Sequence, residues 1–368
     1  MTMDDEITGL IKGLYPYAER FGVLRGMPEK GRPAAEILEQ LEGMARAEDA
    51  VWETGKSSGT MYCGDHEHYR FLSEVCARFA HVNALQRDMC PSMTRFEGEI
   101  IAMALDLMHG DAVASHHPAE KACGGVGFGG TESILNPLLV YRDKARAERN
   151  VAAPQIIVPD TAHPAFEKGA HLFGLEVVRA PTDPETTRVD VDFVRDHVTD
   201  RTVALVGSAG NYPYGTVDPI AELSAVAVEN DVWLHVDGCL GGFILPWGER
   251  LGYDIPVFDF RLPGVTSISA DTHKYGYGLK GTSVVMYRDA SFRRYQYFIA
   301  PDWKGGAYAS YGIPGSRSGG LIAATWASMV RMGREGYLQR AKAIFERAFE
   351  MQATVRRHPE LRLMGKPT

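Results

Sequence analysis

The fold is decided by the segment TVALVGSAGNYPYGTVDPIAELSAVAVENDVWLHVDG, residues 202–238. Its two ends are short runs rich in Val and Leu, which are typical of buried strands, and its middle carries apolar residues at helical spacing. The alternation continues on both sides, with strand-like runs at 155–160, 175–181, 265–271 and 282–289 and helical runs at 131–150 and 163–174. Strands joined by single helices predict an α/β fold with a mostly parallel sheet flanked by helices. Such sheets bind ligands at the carboxyl ends of their strands.

The composition indicates an ordinary soluble globular protein. Its 39 basic and 47 acidic residues give a net charge of −8, which argues against a nucleic acid as partner. The five cysteines form no CxxC pair, so they predict neither a disulfide framework nor a zinc site and favour a reducing compartment. The N-terminal residues are acidic, and no apolar stretch reaches the ~18 residues of a membrane span. We therefore expect a cytoplasmic protein without a transmembrane segment.

The pattern divides the chain into three regions. Residues 1–60 contain helical segments separated by MPEKGRP and predict an N-terminal helical arm. Residues 61–300 contain the alternating strands and helices and predict a large ligand-binding α/β domain. Residues 301–368 begin with a Gly/Pro/Ser-rich loop and continue as a long amphipathic helical stretch, which predicts the start of a smaller C-terminal domain. Little sequence follows that stretch, so we expect this domain to be only partly present.

Three polar residues follow apolar, strand-like runs. Asp237 ends VWLHVD; a buried carboxylate there needs a cation or donors as partners, and a cap for the next turn is the alternative role. Lys274 follows VTSISADTH; it is either an amine with a shifted pKa that acts as a nucleophile or an ordinary surface lysine. His163 follows the run at 155–160, as a catalytic group or as a hydrogen-bonded packing residue. Because Asp237 and Lys274 both lie at predicted strand ends, we expect them to share a site.

The glycine-rich segment CGGVGFGGTES, residues 123–133, opens a helical run. Backbone amides at such a helix start can bind a phosphate, and a flexible turn is the alternative. Gly125, Gly127 and Gly130 match GxGxxG, but the preceding residues predict no strand, so the dinucleotide-binding interpretation fails. The histidines show no metal-ligand spacing, and the sequence predicts no metal site.

Five ordered strings, GGTES, TAH, VGSAGNYPYGTVDPI, HVDGCLGGF and SISADTHKYGYGLKGTSVVMYRD, resemble the pyridoxal-phosphate-dependent sphingosine-1-phosphate lyases, relatives of the group II amino-acid decarboxylases. The likeness runs from MPEKGR to PGSRSGG and covers most of the chain. It implies fold type I of the pyridoxal-phosphate enzymes, the aspartate-aminotransferase-like fold. It also implies cleavage of the C2–C3 bond of a phosphorylated sphingoid base to a long-chain aldehyde and phosphoethanolamine. An amino-acid decarboxylase is the alternative within enzymes, and a catalytically silent binding module is the alternative outside them.

The resemblance assigns roles around the cofactor pyridoxal 5′-phosphate. Lys274 would bind its aldehyde carbon covalently, Asp237 would pair with the protonated pyridine nitrogen, and His163 would lie over the ring face. Retention of these three residues argues against a silent module. The further cofactor contacts that the resemblance implies are Gly130, Thr131, Ser208 and His273.

The resemblance also assigns substrate and subunit contacts. Tyr62 and Tyr214 match tyrosines of the family's cleft and are candidates for proton transfer or for binding substrate oxygens. Lys280 matches a second lysine of the family motif and would bind the substrate phosphate. Gly315 and Ser316 match a loop that the family contributes from the other subunit, which implies a homodimer with shared sites.

Three departures from the family pattern concern the same cleft. Where the family has NPLHxDxFP, this chain has NALQRDMCP, with Gln86 in place of a phosphate-contacting histidine and Cys90 in place of an aromatic residue. Gly127 and Phe128 stand where two hydroxyl-bearing residues are expected, and Gly238 replaces an alanine beside Asp237. Glutamine can donate a hydrogen bond to a phosphate but carries no charge. The substrate phosphate is therefore expected to depend more on other groups here.

Overall fold

The computed structural model of the chain describes residues 17–55, 61–62, 65–113 and 117–368; Cys63 and His116 lie outside the described residues. The chain divides into two compact units, Met1–Met61 and Tyr62–Thr368. The first unit contains helices α1 (Ala18–Phe21) and α2 (Ala34–Trp52). Residues on both sides of the expected boundary at 300 belong to the second unit. The three-region division stays a prediction.

The second unit contains the alternating elements. Its strands are β1 (Cys123–Gly127), β2 (Gln155–Pro159), β3 (Glu176–Ala180), β4 (Thr202–Ser208), β5 (Trp233–Asp237), β6 (Val265–Ala270), β7 (Ser283–Tyr287), β8 (Phe298–Ala300) and β9 (Tyr308–Ser310). Its α-helices are α3 (His66–Arg78), α4 (Pro91–Leu107), α5 (Gly130–Arg149), α6 (Ala165–Phe173), α7 (Val191–Asp196), α8 (Ile220–Glu229), α9 (Leu245–Arg250), α10 (Ala290–Arg293) and α11 (Gly319–Arg357). Short 3-10 helices cover Gly110–Ala112, Pro118–Glu120, Gly241–Phe243 and Arg294–Gln296.

Seven strands form one sheet in the order β1-β7-β6-β5-β4-β2-β3. Strands β3, β2, β4, β5 and β6 are parallel, and β7 is antiparallel to both β6 and β1. Only β7 therefore runs against the other six strands. The predicted α/β fold with a mostly parallel sheet and flanking helices is confirmed.

Two apolar clusters cover the two faces of the sheet. One contains alternate strand residues such as Leu205 and Val236 with helices α4 and α8, and the other contains Val206 with helices α5 and α6. Strands β2 and β4 to β7 are buried along their whole length, which explains their continuous apolar runs. The core thus holds the strand ends rigidly, and this packing fixes the positions of the residues that follow those ends.

Of the preceding residues PAEKAC, for which we predicted no strand, only Cys123 is part of one; the strand that the pattern did not predict is β1, which forms the first part of the glycine-rich segment itself. Its sequence CGGVG gives little strand signal, since glycine has low strand propensity, and its pairing with β7 supplies the missing stabilisation. The dinucleotide-binding interpretation is still excluded, now by the topology of the sheet. Strand β1 pairs only with the antiparallel β7, whereas a dinucleotide fold needs a parallel neighbour connected through the following helix.

The C-terminal part contains a second small sheet and a long helix. Strands β8 and β9 form an antiparallel pair, and β9 lies within the segment after residue 300 that we expected to be loop. Helix α11 is the expected long helical stretch, interrupted at Gly333, where φ is 54°. Within the part of the chain that the structure describes, we find no helix that combines the length and the apolar character needed to cross a membrane.

Candidate active site

The carboxyl ends of β4, β5 and β6 meet at one edge of the sheet. Ser208, Asp237 and Ser269 are paired in register across these strands. Asp271 and Lys274 follow directly after β6. The expectation that Asp237 and Lys274 lie at neighbouring strand ends therefore agrees with the geometry.

Asp237 is buried, with 7% of its surface exposed. Its Oδ1 accepts hydrogen bonds from Cys239 N at 3.0 Å and from Ser269 Oγ at 3.2 Å. The first bond caps the turn after β5, so the capping role that we considered as an alternative is also present. Oδ2 takes part in neither bond and remains for a further donor. Burial, and then the charge of Asp237, raise the pKa of the Cys239 thiol, which keeps the thiol neutral.

Lys274 forms an ion pair in which Nζ lies 3.0 Å from Asp271 Oδ2. Burial by itself lowers the pKa of Lys274, but the negative charge of Asp271 raises it, and the net pKa lies above the usual range. The nucleophilic amine with a shifted pKa, one of the two roles that we considered, requires a lysine able to become neutral at working pH. The adjacent buried carboxylate reverses the direction of the shift, so Lys274 is held as an ammonium against Asp271.

Asp271 connects Lys274 to the glycine-rich turn. It is 1% exposed, and its Oδ1 accepts a hydrogen bond from Ser283 Oγ at 2.5 Å. A Cβ atom on Gly130 would lie 2.5 Å from Asp271 Oδ2, so only glycine fits at the start of α5. Ser133 Oγ in the first turn of α5 lies 2.7 Å from Ser283 Oγ. The start of this helix is thereby fixed relative to the lysine.

The N-terminus of α5 forms a cradle of backbone amides. The helix begins at Gly130, and Gly129 before it has a φ of 93°, a conformation that favours glycine. Cε1 of His273 lies 3.7 Å from the position of a Cβ on Gly129. His273 Nδ1 lies 2.5 Å from Thr282 O, and since a carbonyl oxygen only accepts, Nδ1 is the donor. Burial lowers the pKa of His273, and Thr131 is exposed at the helix start. These groups surround a position suited to an anion.

Tyr62 and Lys280 lie together beside the lysine. Lys280 Nζ is 4.7 Å from the centroid of the Tyr62 ring, and the Tyr275 ring packs edge-on against Tyr62 with centroids 5.2 Å apart. Burial raises the pKa of Tyr62, with Lys274 acting in the opposite direction. Burial, and then the charge of Lys274, lower the pKa of Lys280. At neutral pH the Tyr62 hydroxyl is thus protonated and able to donate.

Ser208 and Tyr214 belong to the end of β4 and the turn after it. Ser208 N donates to Asp218 Oδ2 at 2.7 Å, and burial raises the pKa of Asp218 to about 6. Tyr214 N donates to Asn211 Oδ1 at 2.9 Å, and Tyr214 is 41% exposed. The backbone of this turn is therefore fixed by side-chain carboxylate and amide oxygens, and the Tyr214 side chain is exposed.

His163 lies after the carboxyl end of β2 and is exposed. Its Nδ1 accepts a hydrogen bond from Ala165 N at 3.1 Å, which orients the ring at the start of α6. Because Nδ1 is the acceptor, the proton of a neutral ring is on Nε2.

Gly315, Ser316 and Gln86 form a separate group. Asn83 Nδ2 donates to Ser316 Oγ at 3.0 Å, and Gln86 N donates to Asn83 O at 3.1 Å. A Cβ on Gly315 would lie 2.7 Å from Tyr308 Oη. Within the described ranges, no hydrogen bond or ion pair joins this group to Lys274 or Asp237. The structure therefore places these three residues outside the cluster around the lysine.

One group of potential metal ligands comes together within the described part of the chain. His109, Glu249 and Asp259 place their ligand atoms within 4.8 Å of one another. Arg261 donates hydrogen bonds to both carboxylates, so its guanidinium already supplies the positive charge that they require. We assign no metal to this group.

Comparison with known proteins places the chain in a family. The pyridoxal-dependent decarboxylase conserved domain matches residues 27–368. The chain belongs to this family. The predicted resemblance to its sphingosine-1-phosphate lyase branch is confirmed, and the cofactor of the family is pyridoxal phosphate.

Three relatives define the position of the chain within the pyridoxal-dependent decarboxylase family. The solved structure of sphingosine-1-phosphate lyase from Burkholderia pseudomallei K96243 is 67% identical, with a TM-score of 0.94 over 96% of this chain and 81% of that one. Sphingosine-1-phosphate lyase from Dictyostelium discoideum is 41% identical over 93% of this chain and 63% of the relative. A protein named "Probable L-aspartate decarboxylase" from Pyrococcus abyssi is 34% identical over 87% of this chain and 78% of the relative. This chain spans less than two thirds of the length of the Dictyostelium and Arabidopsis thaliana lyases.

Two buried residues of this pyridoxal-dependent decarboxylase family site received no role from the sequence, namely Ser269 and Asp271. The alternation of polar and apolar residues contains a signal for both residues. Ser267, Ser269 and Asp271 alternate with apolar residues along and just after β6, and His235 and Asp237 alternate in the same way along β5. Alternate positions of a strand share one face. A polar face inside buried strands is unusual, and it predicts a hydrogen-bonded cluster at this place.

Proposed function

We propose that this chain is the catalytic part of a pyridoxal-phosphate-dependent lyase that cleaves the C2–C3 bond of phosphorylated sphingoid bases. The products would be a long-chain aldehyde and phosphoethanolamine. The observation that carries this proposal is the 67% identity to the Burkholderia pseudomallei lyase over 96% of this chain. The geometry around Lys274 supports it, because the residues that such a reaction requires are close together.

The residues fit pyridoxal phosphate. The Gly129–Gly130 turn and the N-terminus of α5 offer amides to the phosphate, and a side chain on Gly130 would be excluded by Asp271. Asp237 offers its second carboxylate oxygen to the pyridine nitrogen. Lys274 would bind the aldehyde carbon after its ammonium gives up a proton, for which Asp271 is the adjacent acceptor. We assign Thr131 and His273 to the cofactor phosphate and Ser208 and His163 to the ring.

Bound pyridoxal phosphate supplies an electron sink for the electron pair that the C2–C3 bond releases. The chain's own residues position the substrate and move protons. Lys274 would hold the cofactor through Nζ, and Asp271 Oδ2, 3.0 Å from Nζ, would accept a proton from this amine or return one to it. Tyr62 is protonated at neutral pH, so it suits donation to a substrate oxygen, and Tyr214 is the second candidate for proton transfer at the C3 hydroxyl.

Lys280 is the cation that we assign to the substrate phosphate. It lies beside Tyr62 in the same cleft as Lys274. Burial and Lys274 lower its pKa, and a phosphate would act in the opposite direction and favour the charged amine. Charge-assisted hydrogen bonds of this kind are stronger than neutral ones. Lys280 therefore accounts for phosphate binding in a chain that has Gln86 in place of the histidine.

We also propose a homodimer in which Gly315 and Ser316 complete the partner's site. The hydrogen bond from Asn83 to Ser316 and the close approach of Tyr308 to Gly315 fix this loop, and among the described residues no hydrogen bond or ion pair joins it to Lys274 or Asp237, which supports this arrangement. Asn83 links Ser316 to the turn that carries Gln86, so Gln86 would serve the same site as Ser316. A cytoplasmic location stays a prediction from the cysteine content.

Subunit mixing tests the shared site. Lys274→Ala and Ser316→Trp subunits would each be inactive alone. If the site is shared, mixed dimers contain one site with both intact residues, and a statistical mixture regains about a quarter of the parent activity. No regain on mixing would mean that Ser316 serves the site of its own subunit.

An amino-acid decarboxylase is the second candidate, favoured by the 34% identity to the Pyrococcus abyssi protein. A carboxylate substrate needs a cation and no apolar channel. The two candidates are separated by incubating the holoenzyme with a phosphorylated sphingoid base, the same base without phosphate, and acidic and aromatic amino acids. Aldehyde from the phosphorylated base alone supports the lyase, and carbon dioxide from an amino acid supports the decarboxylase. Lys274→Ala protein is the control for cofactor chemistry in solution.

A further inference from the structure

A row of buried polar side chains connects helix α5 to Asp237 through strands β6 and β5. His235, Ser267 and Ser269 are fully buried. Tyr141 Oη lies 2.5 Å from Ser267 Oγ, which lies 2.7 Å from His235 Nδ1. His235 Nε2 lies 3.2 Å from Ser269 Oγ, which donates to Asp237 Oδ1 at 3.2 Å. The row is therefore a continuous chain of hydrogen bonds that ends on the carboxylate assigned to the cofactor nitrogen.

The Asp237 carboxylate, at which this row ends, sets the direction of every hydrogen bond in the row. An ionised carboxylate only accepts, so Ser269 donates to Asp237. The Ser269 oxygen is then an acceptor, and His235 Nε2 carries the proton that it receives. In a neutral ring Nδ1 is consequently an acceptor, so Ser267 donates to it. Tyr141 donates to Ser267 in turn.

Burial supports a neutral His235 and a protonated Tyr141. Burial lowers the pKa of His235 to about 4, although Asp237 acts in the opposite direction. Burial also raises the pKa of Tyr141 above its usual range. At neutral pH the row thus consists of neutral groups, each of which donates its hydrogen bond in the direction of Asp237.

We propose that His235 is a positioning residue that acts through Ser269 to hold Asp237 ionised and oriented toward the pyridine nitrogen of the bound cofactor. This inference rests on the proposed role of Asp237. Hydrogen bonds donated to a carboxylate favour its charged form. A neutral donor gives this support without adding a second cation, so the negative charge of Asp237 remains available to the pyridine N–H. A cationic histidine at the same place would compete with the ring for that charge.

A purely structural role is the competing explanation, because losing a buried hydrogen bond also destabilises a fold. The two are separated by measurements on the cofactor itself. The variants are Ser269→Ala, which removes the link to Asp237, and His235→Leu, which removes the histidine at similar volume. His235→Gln is the rescue variant, since its amide can still donate. Thr202→Val is the matched control, because it removes a buried 2.8 Å hydrogen bond to Gln155 at the opposite end of β4.

The experiment reconstitutes each protein with pyridoxal phosphate labelled with nitrogen-15 in the ring. We measure the ring-nitrogen resonance, the cofactor dissociation constant and the thermal midpoint. Ser269→Ala and His235→Leu should shift the resonance toward the unprotonated position and weaken cofactor binding about tenfold, the ratio expected for one hydrogen bond to a charged group. His235→Gln should recover part of both effects. Thr202→Val should lower only the midpoint.

Two outcomes would overturn the inference. If Ser269→Ala lowers the thermal midpoint but leaves the ring-nitrogen resonance and the cofactor dissociation constant at parent values, the row of hydrogen bonds contributes only to packing. If His235→Leu fails to fold, Ser269→Ala decides alone. A parent protein with an unprotonated ring nitrogen, or an Asp237→Asn protein with an unchanged resonance, would instead refute the proposed role of Asp237.

Discussion

The two sides of the cofactor site are built differently. The floor of the site, defined as His235, Asp237, Ser267, Ser269 and Asp271, is at most 7% exposed, and its side chains are hydrogen-bonded to one another or to the residues that follow them. The rim, defined as Tyr62, His163, Tyr214 and Lys280 and, in the proposed dimer, the turn at Gln86 of the partner subunit, is more exposed: His163 is exposed and Tyr214 is 41% exposed. The protein itself sets the geometry of the floor, whereas a ligand completes that of the rim.

The difference in burial indicates that the floor and the rim have different functions. Buried polar groups keep one arrangement because any loss of a partner is costly. Exposed side chains retain conformational freedom and adapt to what binds. We therefore expect changes in the floor to alter cofactor chemistry and changes in the rim to alter substrate choice.

The largest effect is expected at Lys274, between floor and rim. Lys274→Ala should abolish the visible absorption of the covalently bound cofactor and lower turnover at least about a thousandfold, because it removes the amine to which we assign the covalent bond. Borohydride reduction of the parent followed by peptide mapping should place the adduct on Lys274. Lys280→Ala, the control, should keep the adduct. An adduct on Lys280 of the parent would refute the assignment.

Within the floor, Asp237→Asn should bind cofactor at saturating concentration but lose most activity. The amide cannot stabilise a protonated ring nitrogen, and breaking one buried charge pair costs about 3–5 kcal/mol, so the rate should drop at least about a hundredfold. Steady-state kinetics of the reconstituted enzyme measure this. Activity within about threefold of the parent would show that the floor does not control the ring.

Within the floor, His235 should make the free energy of unfolding depend on pH. The pKa of His235 is about 4 in the folded protein and about 6.5 when unfolded, so the unfolded chain takes up the proton first as the pH falls. The stability is fully present above pH ~6.5 and declines toward pH ~4, by up to about 3 kcal/mol from this residue. Urea unfolding of the parent and of His235→Leu measures it. The difference in free energy of unfolding should shrink on acidification, and a constant difference would contradict the neutral buried histidine.

The smallest effect is expected in the rim. Gln86→His should lower the Michaelis constant for a phosphorylated sphingoid base, more at pH 6 than at pH 8, because a histidine with an unperturbed pKa of about 6.5 is charged at the lower pH. Cofactor affinity should not change. Unaltered kinetics at both pH values would place Gln86 outside the phosphate site. Gln86→Asn is the matched control for the side-chain change alone.

Some of the site could be predicted from residue patterns and some could not. Asp237 and Lys274 follow unmistakable apolar runs, so their proximity was predictable from the rule that parallel strands end at one edge. Asp271 was visible only as a neighbour of Lys274, and its effect on the pKa of that lysine depends on a 3.0 Å contact that no pattern specifies. Strand β1 was missed because its glycines carry no strand signal and its pairing with β7 is remote in sequence.

The sequence by itself determined the α/β class, the order of the buried strands' apolar runs and the family to which the chain belongs. These properties depend on local periodicity and on short strings of residues, which are read directly along the chain. Only the tertiary structure decided which side chains touch: the pairing of Lys274 with Asp271, the directed chain from Tyr141 to Asp237, and the separation of Gln86, Gly315 and Ser316 from both. The physical reason is that a hydrogen bond or ion pair forms only when its two atoms are placed to within a few tenths of an ångström, and packing of the whole sheet sets those positions.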